Sequence, residues 1–268
     1  MQRPLCPFVI PWLFFCAIGN VYSGEQDQIS TDRPDFLTGP DVVGKGRFQI
    51  EVGALVQRDD VNNVRTRMVT TPTLLRLGMS ESLELRLESD GRVRSRETTM
   101  ATQATVHERG WADASVGVKW NTHKGNAETG APAIGWVFEA EMPSGSRAFR
   151  GQGVRPAVTG AFQFEFANDM DIGVNAGVKY DHDDGAGRFW SGTLGAGVSK
   201  GLTDRVKLLG EVVAQQIARK KYGGNVVIAD VAMTYLVTNS VQLDVLAGRG
   251  LTSESPKYVF TGGISARF

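Results

Sequence analysis

Residues 170–181 read Met-Asp-Ile-Gly-Val-Asn-Ala-Gly-Val-Lys-Tyr-Asp. Successive side chains of a strand point to opposite faces. Ile172, Val174, Ala176, Val178 and Tyr180 therefore share one face, and Asp171, Asn175, Lys179 and Asp181 share the other, with Gly173 and Gly177 between. One side is oily and the other wet over a window of about ten residues, the length and period of a strand in a membrane barrel.

The same period runs through the chain. Strong windows are 47–57, 82–90, 111–121, 133–142 and 157–166, and compatible ones are 65–77, 188–200, 205–217, 226–237, 239–250 and 257–268. With 170–181 that predicts an all-β, antiparallel up-and-down transmembrane barrel of about 12 strands. The connections alternate between short turns (78–82, 167–169, 201–204, 238–239) and longer, charged loops (58–64, 91–110, 143–154, 181–187, 218–225, 251–256). Short periplasmic turns and long outer loops are the habit of bacterial outer-membrane barrels, and an even strand count puts both termini in the periplasm. A soluble sandwich of seven to ten strands is the competing architecture.

Composition narrows the function. Lys plus Arg and Asp plus Glu are 29 each, so no net charge argues for nucleic acid. Glycine, 32 of 268 residues, suits many turns and close-packed strands. Residues 1–23 read as a secretory signal, with Arg3 as the positive region, Leu5 to Ile18 as the apolar stretch and Val21-Tyr22-Ser23 as the cleavage site. Both cysteines, Cys6 and Cys16, fall inside it, so the mature chain is expected to have no disulfide, thiolate metal site or cysteine nucleophile. Residues 24–46 form an N-terminal segment before a barrel of 47–268. Within it, Thr31-Asp-Arg-Pro-Asp-Phe36 offers Asp32, Arg33 and Asp35 either as a luminal plug or as a solvated periplasmic tail.

Several segments carry a resemblance. Ile29-Ser-Thr-Asp-Arg-Pro-Asp-Phe36 with Gly44 to Glu51, Gly110-Trp-Ala-Asp-Ala-Ser-Val-Gly-Val-Lys-Trp120, Met142-Pro-Ser-Gly-Ser146, Val241-Gln-Leu-Asp244, Gly248-Arg-Gly250 and Phe260 to Phe268 occur in a fixed order. Together they resemble the proteobacterial outer-membrane family named MetA-pathway of phenol degradation. Ser144 stands where that family has Thr. The resemblance implies a barrel of about twelve strands and a role in solute passage, with aromatic or hydrophobic compounds as a family-level guess at the cargo. The terminal Phe268 resembles the assembly signal of outer-membrane proteins, with Ala266 departing from the usual aromatic.

The chemistry on offer is that of a pore wall. With apolar faces outward, the inward acids are Glu51, Glu84, Glu88, Asp113, Glu139, Glu141, Glu165, Asp171, Glu211, Asp230 and Asp244, and the inward bases are Arg76, Arg86, Lys119, Lys179, Lys207, Lys257 and Arg267. A charge facing lipid is costly, whereas one facing a wet lumen is not. Acids outnumber bases on this face, which tilts an open pore towards cations. Alternatively the charges pair across neighbouring strands and brace the barrel. Aromatics near strand ends, such as Trp111, Trp120, Tyr180, Trp190 and Tyr258, suit interfacial girdles.

No catalytic, cofactor or metal residue is expected. His107, His123 and His182 lie in expected loops and lack a lipase pattern, and Asp181-His182-Asp183-Asp184 reads as a solvated tip or a cation-bridged contact to lipopolysaccharide. The glycines match no phosphate loop. The expected partners are outer-membrane lipid and lipopolysaccharide, the barrel-assembly machinery and a small solute. The competing functions are a barrel serving adhesion, structure or assembly through its outer loops and, more remotely, a lipid-hydrolysing barrel.

Overall fold

The computed structural model describes residues 28–268 except 62, 167–168 and 184–186, so the expected signal peptide lies outside the described residues. Fifteen strand segments follow the N-terminal stretch. They are β1 (Phe48–Val61), β2 (Val64–Thr70), β3 (Thr73–Gly78), β4 (Leu83–Ser89), β5 (Arg92–Thr99), β6 (Thr105–Trp111), β7 (Ala114–His123) and β8 (Ala133–Met142). Then come β9 (Arg155–Phe166), β10 (Met170–Asp183), β11 (Gly187–Thr203), β12 (Val206–Ile217), β13 (Val226–Thr238), β14 (Val241–Gly250) and β15 (Tyr258–Arg267).

Every pairing is antiparallel, and β15 closes on β1 from Gln49↔Arg267 to Arg58↔Tyr258. Three pairs of segments are continuous staves. β1 pairs with both β2 and β3, β3 with β4, β2 with β5, β5 with β6 and β4 with β7. Joining β2 to β3, β4 to β5 and β6 to β7 leaves a closed wall of 12 staves. The breaks fall side by side at Thr71–Pro72, Asp90–Gly91 and Ala112–Asp113. Pro72 has no N–H to give the ladder, and Gly91 has a φ of 63°. The register slips by one residue there, from Val69↔Arg94 to Thr73↔Ser89, which bends the wall as a bulge does.

Burial is inverted relative to a soluble protein. Gln49, Glu51, Arg76, Glu84 and Lys119 are completely buried, while Trp190 is 66% and Val231 64% exposed. Along β14, Gln242, Asp244 and Leu246 point inward, and Leu243 and Val245 point out. An oily face turned outward on every stave needs lipid, not a second sheet, and this removes the sandwich. From Phe48 to Val56 the outward belt of β1 is about 26 Å long at ~3.3 Å per residue, close to the apolar band of an outer-membrane barrel.

Several expected loops are strand instead: β1 runs on to Val61 and β10 to Asp183, into 58–64 and 181–187, and His107, His123 and His182 lie in β6, β7 and β10. Residues 91–110 are mostly strand, β5 and β6, joined by a short turn at 100–104. Their outward positions carry arginine instead of apolar residues, so the period of two is present without the oil that makes it visible.

Candidate functional site

Residues 29–43 run inside the barrel as a strap, not outside it as a solvated tail. Ile29 N–H donates to the Asn239 carbonyl at 2.8 Å, tying the strap to the periplasmic turn before β14. Asp32 and Arg33 N–H donate to Glu51 at 3.1 and 2.9 Å. Deeper in, Phe36 N–H donates to Glu211 at 2.7 Å, and Thr38 N–H to Asn175 Oδ1 at 2.8 Å. The strap then crosses back, its Pro40 carbonyl accepting from Asn121 at 3.1 Å and Val43 N–H donating to Glu84 at 2.9 Å. Extended luminal backbone has no sheet partner of its own, so wall side chains satisfy it. Phe36 and Leu37 add a small apolar contact against Val213, Ile228 and Val259.

Two side chains fix the strap. Arg33 donates to Asp244 at 2.9 Å and 3.3 Å and to Thr261 Oγ1 at 2.9 Å. It lies flat on the register pair Gly53↔Gly263, where a Cβ at either position would stand 2.5 Å from its guanidinium. Asp32 receives Lys119 Nζ at 2.8 and 2.9 Å, and also Arg86. Burial by itself raises a carboxyl, but Lys119, Arg76 and Arg86 outweigh it and hold Asp32 well below its usual 3.8. Arg76 completes this cluster by bonding Glu84 at 2.8 Å and Glu51 at 3.1 Å. Asp35 has the opposite surroundings. Burial, then the nearby Glu211, Asp230, Asp32 and Asp244, hold its carboxyl well above 3.8.

The strap divides the lumen. On its periplasmic side is a cavity of about 300 Å³ lined by Asp171, Asn175, Lys207, Glu211 and Gln242. On its outer side is one of about 390 Å³ lined by Glu51, Arg86, Glu88, Asp90 and Glu139. Arg33, Asp35, Leu37 and Thr38 line both. A further cavity of about 430 Å³ opens at the periplasmic mouth beside Gln28 and Arg205.

The family model described as MetA-pathway of phenol degradation matches residues 31–268. The chain belongs to this family. No curated protein matches the sequence. Among solved structures, an outer membrane channel from Pseudomonas putida F1 is 13% identical with a TM-score of 0.63, over 89% of this chain and all of that one. The β domain of the Bordetella autotransporter BrkA is 11% identical with a TM-score of 0.58, over 84% and 100%. The NanC porin is 9% identical with a TM-score of 0.52, over 82% and 98%. At such identities the likeness establishes a fold, that of an outer-membrane barrel.

In this member of the MetA-pathway family the predicted charges fall into separate places. Glu51, Glu84, Arg86, Lys119 and Asp244 meet around the strap. Glu88 and Glu139 face the outer cavity, Glu88 with half of its side chain exposed and 3.7 Å from Arg86. Lys179 and Glu141 form a second cluster nearer the outer mouth, bonded to one another at 2.7 Å, with Arg155 bridging Glu141 and Asp113 at 2.7 and 2.6 Å. Asp113 also accepts Gly145 and Gly151 N–H at 2.7 and 2.8 Å. It is thus an anchor for the loop after β8, not part of the open lumen. Asp230 is buried opposite Glu211. Glu165 and Arg267 stand at the periplasmic rim, where Glu165 is exposed and Arg267 reaches the Gln28 carbonyl at 3.4 Å. Phe268 completes the closing seam, its ring stacked on Phe48 at 6.5 Å.

Asn121, Asn175, Arg155 and Thr261 contribute but were not among the predicted site residues, and Lys257, expected to point inward, instead bonds Asp60 on the outward face at 3.3 Å. Asn175 and Thr261 occupy inward positions, so parity was the available signal; Arg155 opens β9 just before the predicted window. Asp181, His182 and Asp183 end β10, while Asp184 lies outside the described residues. No group of three metal-ligating side chains occurs among the described residues.

Proposed function

We propose that this protein is an outer-membrane channel for small solutes whose passage is controlled by its own N-terminal strap. The observation that carries this reading is the pair of luminal cavities separated by residues 33–38. Family membership supports passage of small molecules, and the family's description favours aromatic compounds as cargo. The walls give such a cargo both apolar floor, at Leu55, Leu74 and Val137, and polar groups that hydrate a hydroxyl. No residue is assigned a catalytic role.

Electrophysiology separates the readings. Planar bilayers holding the chain from residue 24, and the same chain lacking residues 25–40, should both give discrete conductance steps, larger and cation-preferring in the deletion. Equal conductance would remove the strap from gating. Silence from both, with the barrel shown folded, would favour a barrel that works through its outer loops.

A further inference from the structure

The outward surface near the outer rim carries a feature the lumen does not use. Arg58, Arg67, Arg96 and His107 are register partners across four neighbouring strands, β1, β2, β5 and β6. One step towards the membrane, Arg94 stands between Val69 and Arg109, and Arg92 lies opposite Trp111. Arg65, Arg67, Arg92, Arg94, Arg96 and Arg109 are all exposed.

Like charges directly opposite one another destabilise a sheet, and little on this face offsets them. Glu97 and Glu108 have the opposite parity and point to the other side. Asp60 shares the face but already serves Arg58, Arg65 and Lys257 at 3.2, 3.1 and 3.3 Å. The side chains of Arg67, Arg92, Arg94, Arg96 and Arg109 have no bonded partner among the described residues.

Height identifies the kind of anion that suits this face. The ladder begins where the apolar belt ends, beside Trp111 and beside Tyr258, the register partner of Arg58. Interfacial aromatics of this kind mark the headgroup level. Below it the same staves expose Leu77, Leu85 and Leu87 to the acyl region. A soluble anion needs no apolar floor beneath its charge, whereas a phosphorylated lipid does. Arginine forks suit phosphate oxygens because they offer two parallel donors.

We propose that this arginine ladder is a binding site for the phosphate groups of lipopolysaccharide in the outer leaflet. The inference rests on the barrel's orientation in the outer membrane and is independent of solute passage. The site was read in the sequence as loop, so it differs from the acidic tip at Asp181.

The test uses the full chain in detergent micelles free of lipopolysaccharide, titrated with diphosphoryl lipid A and followed by native mass spectrometry. The variant Arg94→Gln/Arg96→Gln/Arg109→Gln should bind about tenfold to a hundredfold more weakly, as the loss of three exposed ion pairs implies. The control Lys124→Gln/Lys220→Gln/Lys221→Gln removes as much charge elsewhere and should bind like wild type. Monophosphoryl lipid A should bind wild type more weakly than the diphosphoryl form. If the glutamine variant does not fold, Arg94→Lys/Arg96→Lys/Arg109→Lys takes its place, with weakened but salt-sensitive binding expected. Binding by either variant within twofold of wild type would overturn the proposal. Equal affinity for phosphatidylglycerol would overturn the assignment to lipopolysaccharide.

Discussion

Replacing Arg33 by alanine tests whether the strap is held in the lumen by specific charges. In the docked state Asp244 has a fully buried side chain, and the Arg33 side chain beside it is 11% exposed. Truncating one partner of such a pair costs about 3–5 kcal/mol, because the remaining charge is left buried and unpaired. That cost applies only while the strap is docked, since its departure would open Asp244 to luminal water. Arg33→Ala should therefore shift the equilibrium towards release by roughly 10²- to 10⁴-fold. The two cysteines of the chain are Cys6 and Cys16, so Thr38→Cys in the chain from residue 24 supplies a single thiol on the strap. Its modification by a charged maleimide tracks the released population when docking is fast. The labelling rate should rise by at least about two orders of magnitude in Arg33→Ala, with a parallel rise in conductance. Arg33→Lys, which keeps the charge but loses the fork, should fall between. A rate within twofold of the unmutated strap would show that Arg33 does not hold it.

Other outcomes follow from the same geometry. Gly53→Val should release the strap much as Arg33→Ala does while leaving the barrel folded, as read by thiol labelling and by heat-modifiable migration on a gel. The raised carboxyl of Asp35 favours docking while it is protonated; that contribution is complete below 3.8 and is lost as the pH rises through its higher docked value. Labelling at position 38 should therefore increase with pH above the ordinary carboxylate range, and Asp35→Asn should flatten the response. The depressed carboxyl of Asp32 works the other way, contributing above 3.8 and failing only under stronger acid. Glu139→Lys places a cation in the outer cavity without breaking any bond seen for Glu139. It should lower cation preference in reversal-potential measurements of the strap-deleted pore and leave strap labelling unchanged.

The wall was legible because lipid demands oil at every second residue, and windows such as 170–181 and 239–250 satisfy that demand locally. β5 and β6 were not, because outward arginines replace the oil where the staves reach the headgroups. The charge of the strap was also visible, in Asp32, Arg33 and Asp35. Its destination was not, since Arg33 meets Asp244 across 211 positions of sequence. Parity tells which side chains face inward but not which of them meet. Asp113 illustrates the difference: it faces away from lipid as expected, yet a loop uses it as an anchor.

The strap's docking partners also set an order of events. Glu51 lies on the first strand, Asp244 and Thr261 on the last two, and Gly53 and Gly263 sit on the seam between them. This platform exists only once the two ends of the sheet have met. The segment that precedes the barrel in sequence is therefore the last to find its place, and an unfinished barrel offers it no complete berth. A docked strap certifies that the wall has closed.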